Sequence, residues 1–256
     1  MNSFPTPYKD VNETISTLRE EARQVLGDYY TGMYLYGSLA LGDFDPGRSD
    51  IDPLIVTSEE LPEAIINGLE AMHRRLYRSG LEWTKKMSGI YIPLDDLRVY
   101  RMNGPNNPMF NRDDFLVGRP GIDWVFHRHV LHNCGVVVEG PSLRNMIDRV
   151  PSELLKEAAF IFLRDWVLLT YDNDIFRGEG HQPYFVLTVC RCLYTLRNGD
   201  VTTKDKSAEW AVSNVDGKWS DLIRQAMNWH YSDPAGDIPQ TQKFMRYIMA
   251  KAGVMV

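Results

Sequence analysis

The chain has 256 residues, 44% of them hydrophobic and 24% charged, and a formal net charge of -6. That length favours two domains over one, and the composition excludes disordered, collagen-like, coiled-coil and low-complexity classes. The acidic balance argues against a protein whose main work is gripping nucleic-acid phosphates, which takes clustered Lys and Arg; a cationic partner or a metal-bridged anion fits better. Three cysteines, Cys134, Cys190 and Cys192, read as reduced thiols, because the last two sit two apart on a helical pattern and diverge. The opening run MNSFPTPYKDVNETIS has no apolar stretch of the secretory kind, and nowhere do about 18 apolar residues run together. The expectation is a cytoplasmic protein outside the membrane.

Along the chain, Thr6-Pro7 predicts a helix start, with Thr6 as cap and Val11, Ile15, Leu18, Ala22 and Val25 at helical spacing up to Gly27. Met33 to Tyr36 is a short apolar strand running straight into Gly37-Ser38, after which a helix could start at Leu39. A second strand follows at Ile51 to Val56, a helix at Leu61 to Arg78 and a third strand at Met87 to Ile92, closed by Pro93. Trp124 to Leu131 reads as a helix, and Val136 to Val138 ends at a Gly140-Pro141 turn. Beyond Pro151 the strand pattern stops. Five helical patterns follow: Ser152 to Tyr171, Pro183 to Leu196, Thr203 to Val212, Trp219 to Tyr231 and Pro239 to Ala252, with Trp166, Trp210, Trp219 and Trp229 as packing residues. The boundary falls near Gly140 to Pro151, giving residues 1–150 and 151–256.

Chemistry concentrates in Gly37-Ser38-Leu39-Ala40-Leu41-Gly42 and Ser49-Asp50-Ile51-Asp52. A Gly-Ser pair directly after a strand lets backbone N–H groups approach an anion closely, which is how a polyphosphate is held. Asp50 and Asp52 are two apart, so at the start of a strand both project from one face. Two carboxylates about 4 Å apart repel by about 4 kcal/mol at an effective dielectric of 20, so such a pair either shares a proton or holds a hard cation such as magnesium.

The run from Tyr34 to Thr57, YLYGSLALGDFDPGRSDIDPLIVT, resembles the signature of the polymerase-β-like nucleotidyltransferase superfamily, in particular the bacterial streptomycin/spectinomycin adenylyltransferases. Tyr91 to Leu94 with Leu97-Arg98 looks like that family's third-strand region, and Gly135 to Pro141 like its domain-closing turn. Tyr184 to Arg191, Tyr194 to Leu196, Gly199, Thr203-Lys204 and Ala208 to Ala211 are similar to its helical domain, which is what points to the aminoglycoside branch. The resemblance implies an α+β fold, with an N-terminal nucleotidyltransferase domain of mixed sheet and helices and a C-terminal all-α bundle. It implies transfer of AMP from ATP to a hydroxyl of a small acceptor, an aminoglycoside being one, and an antibiotic-resistance role. Asp50 and Asp52 would hold Mg2+, Gly37, Ser38 and Ser49 would meet the nucleotide, and Lys204 would reach its phosphates. The acceptor would lie in the cleft between the domains. Partners are then nucleotide and acceptor rather than nucleic acid or membrane, with a monomer favoured.

One departure opens a second reading. The family carries a glutamate three residues before the Tyr-Ile-Pro run, usually assigned as the base for the acceptor hydroxyl; here that position is Ser88. A base contributes about 10² to 10⁴ in rate, so a nucleotide-binding protein with weakened or lost catalysis, a sensor or sequestering module, stands as the alternative. Glu82, Asp95 and Asp96 are the replacement carboxylates to consider. Pro53 is a second oddity, because it removes a ladder donor from an inner strand. Trp124, preceded by Asp123, and the acidic group Asp172, Asp174 and Glu179 are candidate acceptor contacts, and Arg191 lies either toward the nucleotide or on a helix surface. His127, His129 and His132 lack the further ligands of a zinc site.

Overall fold

A computed structural model of the chain describes residues 5–170, 181–230, 233 and 237–254, with the backbone alone at 166–170 and 181. The chain divides into two compact units, Met1–Arg149 and Val150–Val256.

The first unit runs α1 (Lys9–Leu26), β1 (Tyr30–Leu35), α2 (Gly37–Leu41), β2 (Pro53–Thr57), α3 (Glu63–Tyr77), β3 (Ser88–Pro93), α4 (Leu94–Leu97), β4 (Asn107–Asn111), β5 (Asp114–Gly118), α5 (Trp124–Cys134) and β6 (Val136–Glu139). Its six strands form one sheet in the order β5-β4-β3-β2-β1-β6. Only β2 and β3 run parallel, and α3 makes that crossover; every other pairing is antiparallel.

The helix start at Thr6 is corrected. Tyr8 occupies the cap position without a side-chain bond, and the Thr6 hydroxyl accepts the Tyr8 N–H while Thr6 and Asn12 clasp one another. Otherwise α1 follows its pattern: Val11, Ile15, Leu18, Ala22 and Leu26 are buried against Leu69, Met72 and Leu76 of α3 and against Met33, Leu35, Ile55 and Tyr91 of the sheet. Each such large side chain contributes about 1.5–3 kcal/mol on burial. Strand alternation turns Tyr34, Tyr36, Leu54, Val56, Ile90 and Ile92, all buried, to the opposite face. There Tyr36 packs on Trp124 and His127 of α5, and the Tyr34 hydroxyl donates to the Pro141 carbonyl at 2.9 Å.

The hairpin of β4 and β5 has no counterpart in the strand reading of the sequence. Its two-residue turn places Arg112 at φ 59, in the left-handed region, without the glycine or asparagine that announces such turns.

The second unit holds α6 (Ser152–Thr170), α7 (His181–Asn198), α8 (Lys204–Asn214), α9 (Ser220–Met227) and α10 (Ile238–Ala252), and no strand occurs among its described residues. Phe185, Val186, Val189, Cys190 and Leu193 bury α7 within the bundle beside Ala208 and Ala211 of α8, Leu222 and Ile223 of α9 and Phe244, Met245 and Ile248 of α10. A helix apolar over so much of its circumference has to be central. Thr203 caps α8 and Asp237 caps α10, each accepting a backbone N–H three residues on.

Candidate functional site

The site grows from the end of β1. Tyr36 is extended, and at Gly37 the chain turns into α2 with φ 62, a conformation that side chains other than glycine's rarely adopt. Space excludes a side chain as firmly: a Cβ on Gly37 would lie 1.9 Å from Asp52 Oδ2. The turn and the second aspartate are therefore packed directly together. The helix begins at Gly37, two residues earlier than the spacing suggests, and ends after five residues at Gly42. So short a helix has little macrodipole, and what Gly37 and Ser38 offer an anion is local backbone N–H groups.

A loop returns the chain to the sheet, and Asp45 organises it. Asp45 accepts from Gly47 N–H at 2.8 Å and pairs with Arg48 Nε at 3.0 Å, and its carbonyl accepts from Ser49 N–H at 2.8 Å. The Ser49 hydroxyl in turn accepts the Asp45 N–H at 3.0 Å, so Ser49 helps to close the loop. Phe44 pins it from the α1 side, tilted against Tyr8 at 5.2 Å and Trp83 at 5.4 Å.

Asp50 and Asp52 flank Ile51, which is fully buried and bridges to Met87 on the neighbouring strand segment. With Ile51 inward, the extended period of two sends both carboxylates to the same face, the one shared by Tyr34 and Tyr36. The ladder fixes what stands beside them. Leu35 pairs with Pro53 and Leu54 with Ile90, and the Tyr36 N–H donates to the Asp52 carbonyl at 3.0 Å. Tyr36, Asp52 and Ser88 thus form a row across three strands, with the Ser88 hydroxyl 3.4 Å from Asp52 Oδ1. Pro53 fits because it is the first residue of β2, where a missing N–H costs least. Gly89 admits Pro53 beside it, since a Cβ there would lie 2.4 Å from the Pro53 carbonyl oxygen.

Two features of this row bear on its chemistry. Asp50 Oδ1 is buried and accepts no hydrogen bond among the described residues, an expensive state for a carboxylate oxygen unless a cation meets it. Burial first, and then the charges of Asp52 and Asp123, push the Tyr36 phenol well above its usual range. The row therefore concentrates negative charge and has one oxygen awaiting a partner. Two neighbouring carboxylates are a donor set that suits magnesium, which keeps waters and phosphate oxygens as its remaining ligands. No group of three or more His, Cys, Asp or Glu side chains that could hold a metal occurs among the described residues.

The other candidates separate. Glu82 is exposed in a short turn before β3, and Asp95 and Asp96 sit on α4 beyond the far end of that strand, so none of the three stands in the row. Trp124 is buried edge-on against Tyr36 at 5.5 Å and lines a shallow cleft with Asp96, Tyr100 and Asn107. His129 meets Asn133 and His132 meets the Ile147 carbonyl. In the second unit Lys204 opens α8 with its ammonium 4.5 Å from the Tyr184 ring, and Arg191 is half-buried on α7. Asp172, Asp174 and Glu179 lie outside the described residues. Asp45 and Tyr36 escaped the sequence reading. Asp45 had a signal in its Asp-Pro-Gly turn, whereas the role of Tyr36 depends on strand register.

Comparison with known proteins agrees along the chain. A family model described as a nucleotidyltransferase domain matches residues 15–101, and one described as the C-terminal domain of aminoglycoside adenylyltransferase matches residues 145–251. An aminoglycoside (3'') (9) adenylyltransferase of Klebsiella pneumoniae is 26% identical over 231 residues, covering 84% of this chain and 85% of that one. A spectinomycin 9-adenylyltransferase of Campylobacter jejuni is 24% identical over 244 residues, covering 88% and 85%. The crystal structure of a spectinomycin adenyltransferase from Enterococcus faecialis with ATP and spectinomycin superposes with a TM-score of 0.74, covering 93% of this chain and 98% of that one at 15% identity, which establishes the shared fold. With a nucleotidyltransferase domain and an aminoglycoside adenylyltransferase C-terminal domain matched in that order, the chain belongs to the polymerase-β-like nucleotidyltransferases, in their aminoglycoside adenylyltransferase-like branch.

Proposed function

We propose that this nucleotidyltransferase moves AMP from ATP to a hydroxyl of a small, cationic acceptor of the aminoglycoside or spectinomycin kind, releasing pyrophosphate. The observation that carries the reading is the fit of Gly37 against Asp52 beside the orphaned Asp50 oxygen: a positive-φ backbone turn and a carboxylate pair locked into one piece. In this reading Asp50 and Asp52 hold magnesium, which when bound neutralises phosphate charge and polarises the reacting phosphoryl group. Gly37 and Ser38 present backbone N–H groups to the β- and γ-phosphates, and the loop braced by Asp45 and Ser49 keeps that turn in shape. Lys204 adds a cation for the phosphates, and Trp124, Asp174 and Glu179 are the residues assigned to the acceptor. Positioning and charge neutralisation are the main demands of such a transfer, and these residues supply both.

The acidic chain suits a cationic acceptor. No helix among the described residues is long and apolar enough to cross a membrane. We assign the chain a cytoplasmic setting. The test is pyrophosphate release from ATP and magnesium by the full chain against a panel of aminoglycosides and spectinomycin. Acceptor-dependent release supports the reading; tight ATP binding without release from any acceptor supports the sensor. One observation favours that second reading, namely that Ser88, a neutral group, stands beside Asp52 where the relatives' base is expected.

A further inference from the structure

The row across the sheet raises a chemical question on either side of Asp52. On the β3 side stands Ser88, which cannot take a proton at neutral pH. On the β1 side stands Tyr36, and against its ring lies His127, with centroids 4.7 Å apart. His127 is in the first turn of α5, the helix packed on α2. Its Nε2 is 3.7 Å from Asp123 Oδ2, four residues earlier, and Trp124 flanks it at 5.4 Å.

His127 differs from the other histidines whose side chains are described. His73 is buried and bonded to the Tyr91 hydroxyl, His129 meets Asn133, and His132 and His230 each bond to a backbone carbonyl. Among the described residues His127 has only its carboxylate and ring neighbours, and its side chain remains 30% exposed. An imidazole steered by a carboxylate, open at its other nitrogen and seated one aromatic ring from the aspartate row has the arrangement of a general base.

We infer that His127, oriented by Asp123, is the general base of this chain's transfer reaction and takes the place of the carboxylate that the Ser88 position lacks. The inference rests on the adenylyl-transfer reading above. The acceptor O–H gives its proton to His127 Nδ1 while its oxygen forms a bond to the α-phosphorus. The bond from that phosphorus to the oxygen bridging to the β-phosphate breaks, and pyrophosphate leaves with the electron pair. Asp123 balances the charge of the imidazolium, which returns its proton to solvent. Imidazole is the side chain most often used for such a proton transfer.

The test uses the full chain, single-turnover formation of AMP product from ATP and magnesium, and streptomycin, spectinomycin or, where neither accepts, water. His127→Gln and His127→Ala are measured alone and together with Ser88→Glu, with ATP affinity and Tm alongside. The expected result is a loss of about 10² to 10⁴ in rate for both histidine variants, with ATP affinity and Tm unchanged. Free imidazole is expected to restore part of the rate of His127→Ala. In the Ser88→Glu background, where a carboxylate returns to the row, the loss is expected to shrink below about tenfold. A loss under about threefold, a loss that neither imidazole nor Ser88→Glu relieves, or a parallel fall in ATP affinity overturns the base. Absence of product from wild type on every acceptor, water included, overturns the transfer reading and the base together.

Discussion

The two units put their chemistry on different footings. In the first, every proposed contact with the nucleotide lies within sixteen residues, from Gly37 to Asp52, and backbone geometry fixes it: a positive-φ glycine, a braced loop and a strand register. In the second, Lys204 is a long side chain lying over an exposed Tyr184 ring, and the proposed acidic acceptor residues follow the end of α6. A site built into a sheet is pre-set before ligand arrives, whereas one built from side chains on a bundle has to be gathered. The first should be brittle to mutation and the second forgiving.

The largest effect is expected at Asp52. Asp52→Asn removes a cation ligand and one charge of the pair, so transfer is expected to fall by at least about 10², the scale of losing one preorganised electrostatic contact. Its unliganded Tm should be unchanged or raised, because a like-charge repulsion is relieved. A lowered Tm with activity retained would make Asp52 structural and break the comparison.

Gly37→Ala attacks the same feature through the backbone. Holding alanine at φ 62 costs on the order of 1–3 kcal/mol, and its Cβ displaces the Asp52 carboxylate. Urea unfolding should show a reduced midpoint and calorimetry a loss of ATP affinity. Gly217→Ala in the second unit, where nothing lies within 4 Å of the added Cβ, should change neither.

Acid should also divide the units. His73 is buried against Phe110 and Tyr91, and burial pushes its pKa down to about 3. The unfolded chain takes up this proton near pH 6.5 while the folded chain refuses it. Stability is therefore full above that pH and falls by about 1.4 kcal/mol per unit below it, about 2 kcal/mol by pH 5, levelling off near pH 3. No histidine with a described side chain is buried in the second unit. Unfolding followed at pH 7.5 and 5 should show the first unit losing more, and His73→Gln should flatten that difference.

The smallest effect is expected at Lys204. Lys204→Ala gives up an ammonium that rests on an exposed ring, so ATP affinity should fall only about three- to tenfold, with Tm nearly unchanged. A loss as large as that of Asp52→Asn would place Lys204 on the same footing as the sheet and erase the contrast.

What the sequence disclosed follows the same division. The Gly-Ser turn and the aspartate pair were legible because local spacing determines them: β1 leads to Gly37, and the alternation around Ile51 orients Asp50 and Asp52. Ser88 was legible as a departure, and the parallel pairing of β2 and β3 places it beside Asp52. The β4–β5 hairpin was hidden because Arg112 occupies a position that glycine normally marks. Tyr36 and the His127–Asp123 pair were hidden for another reason. They meet across about ninety residues of chain, and no local periodicity records that α5 packs on the end of β1.

The central claim, that the row at the end of β1 and the start of β2 binds nucleotide through a cation, has a direct test. ATP is titrated calorimetrically into wild type and Asp52→Asn, in magnesium and in chelator. The account predicts that wild type binds in magnesium and at least about tenfold more weakly in chelator, because the triphosphate and the carboxylate pair repel without a cation between them. In Asp52→Asn most of that magnesium dependence should disappear. Equal wild-type affinity in magnesium and in chelator would contradict the claim and leave Asp50 and Asp52 without the role assigned to them.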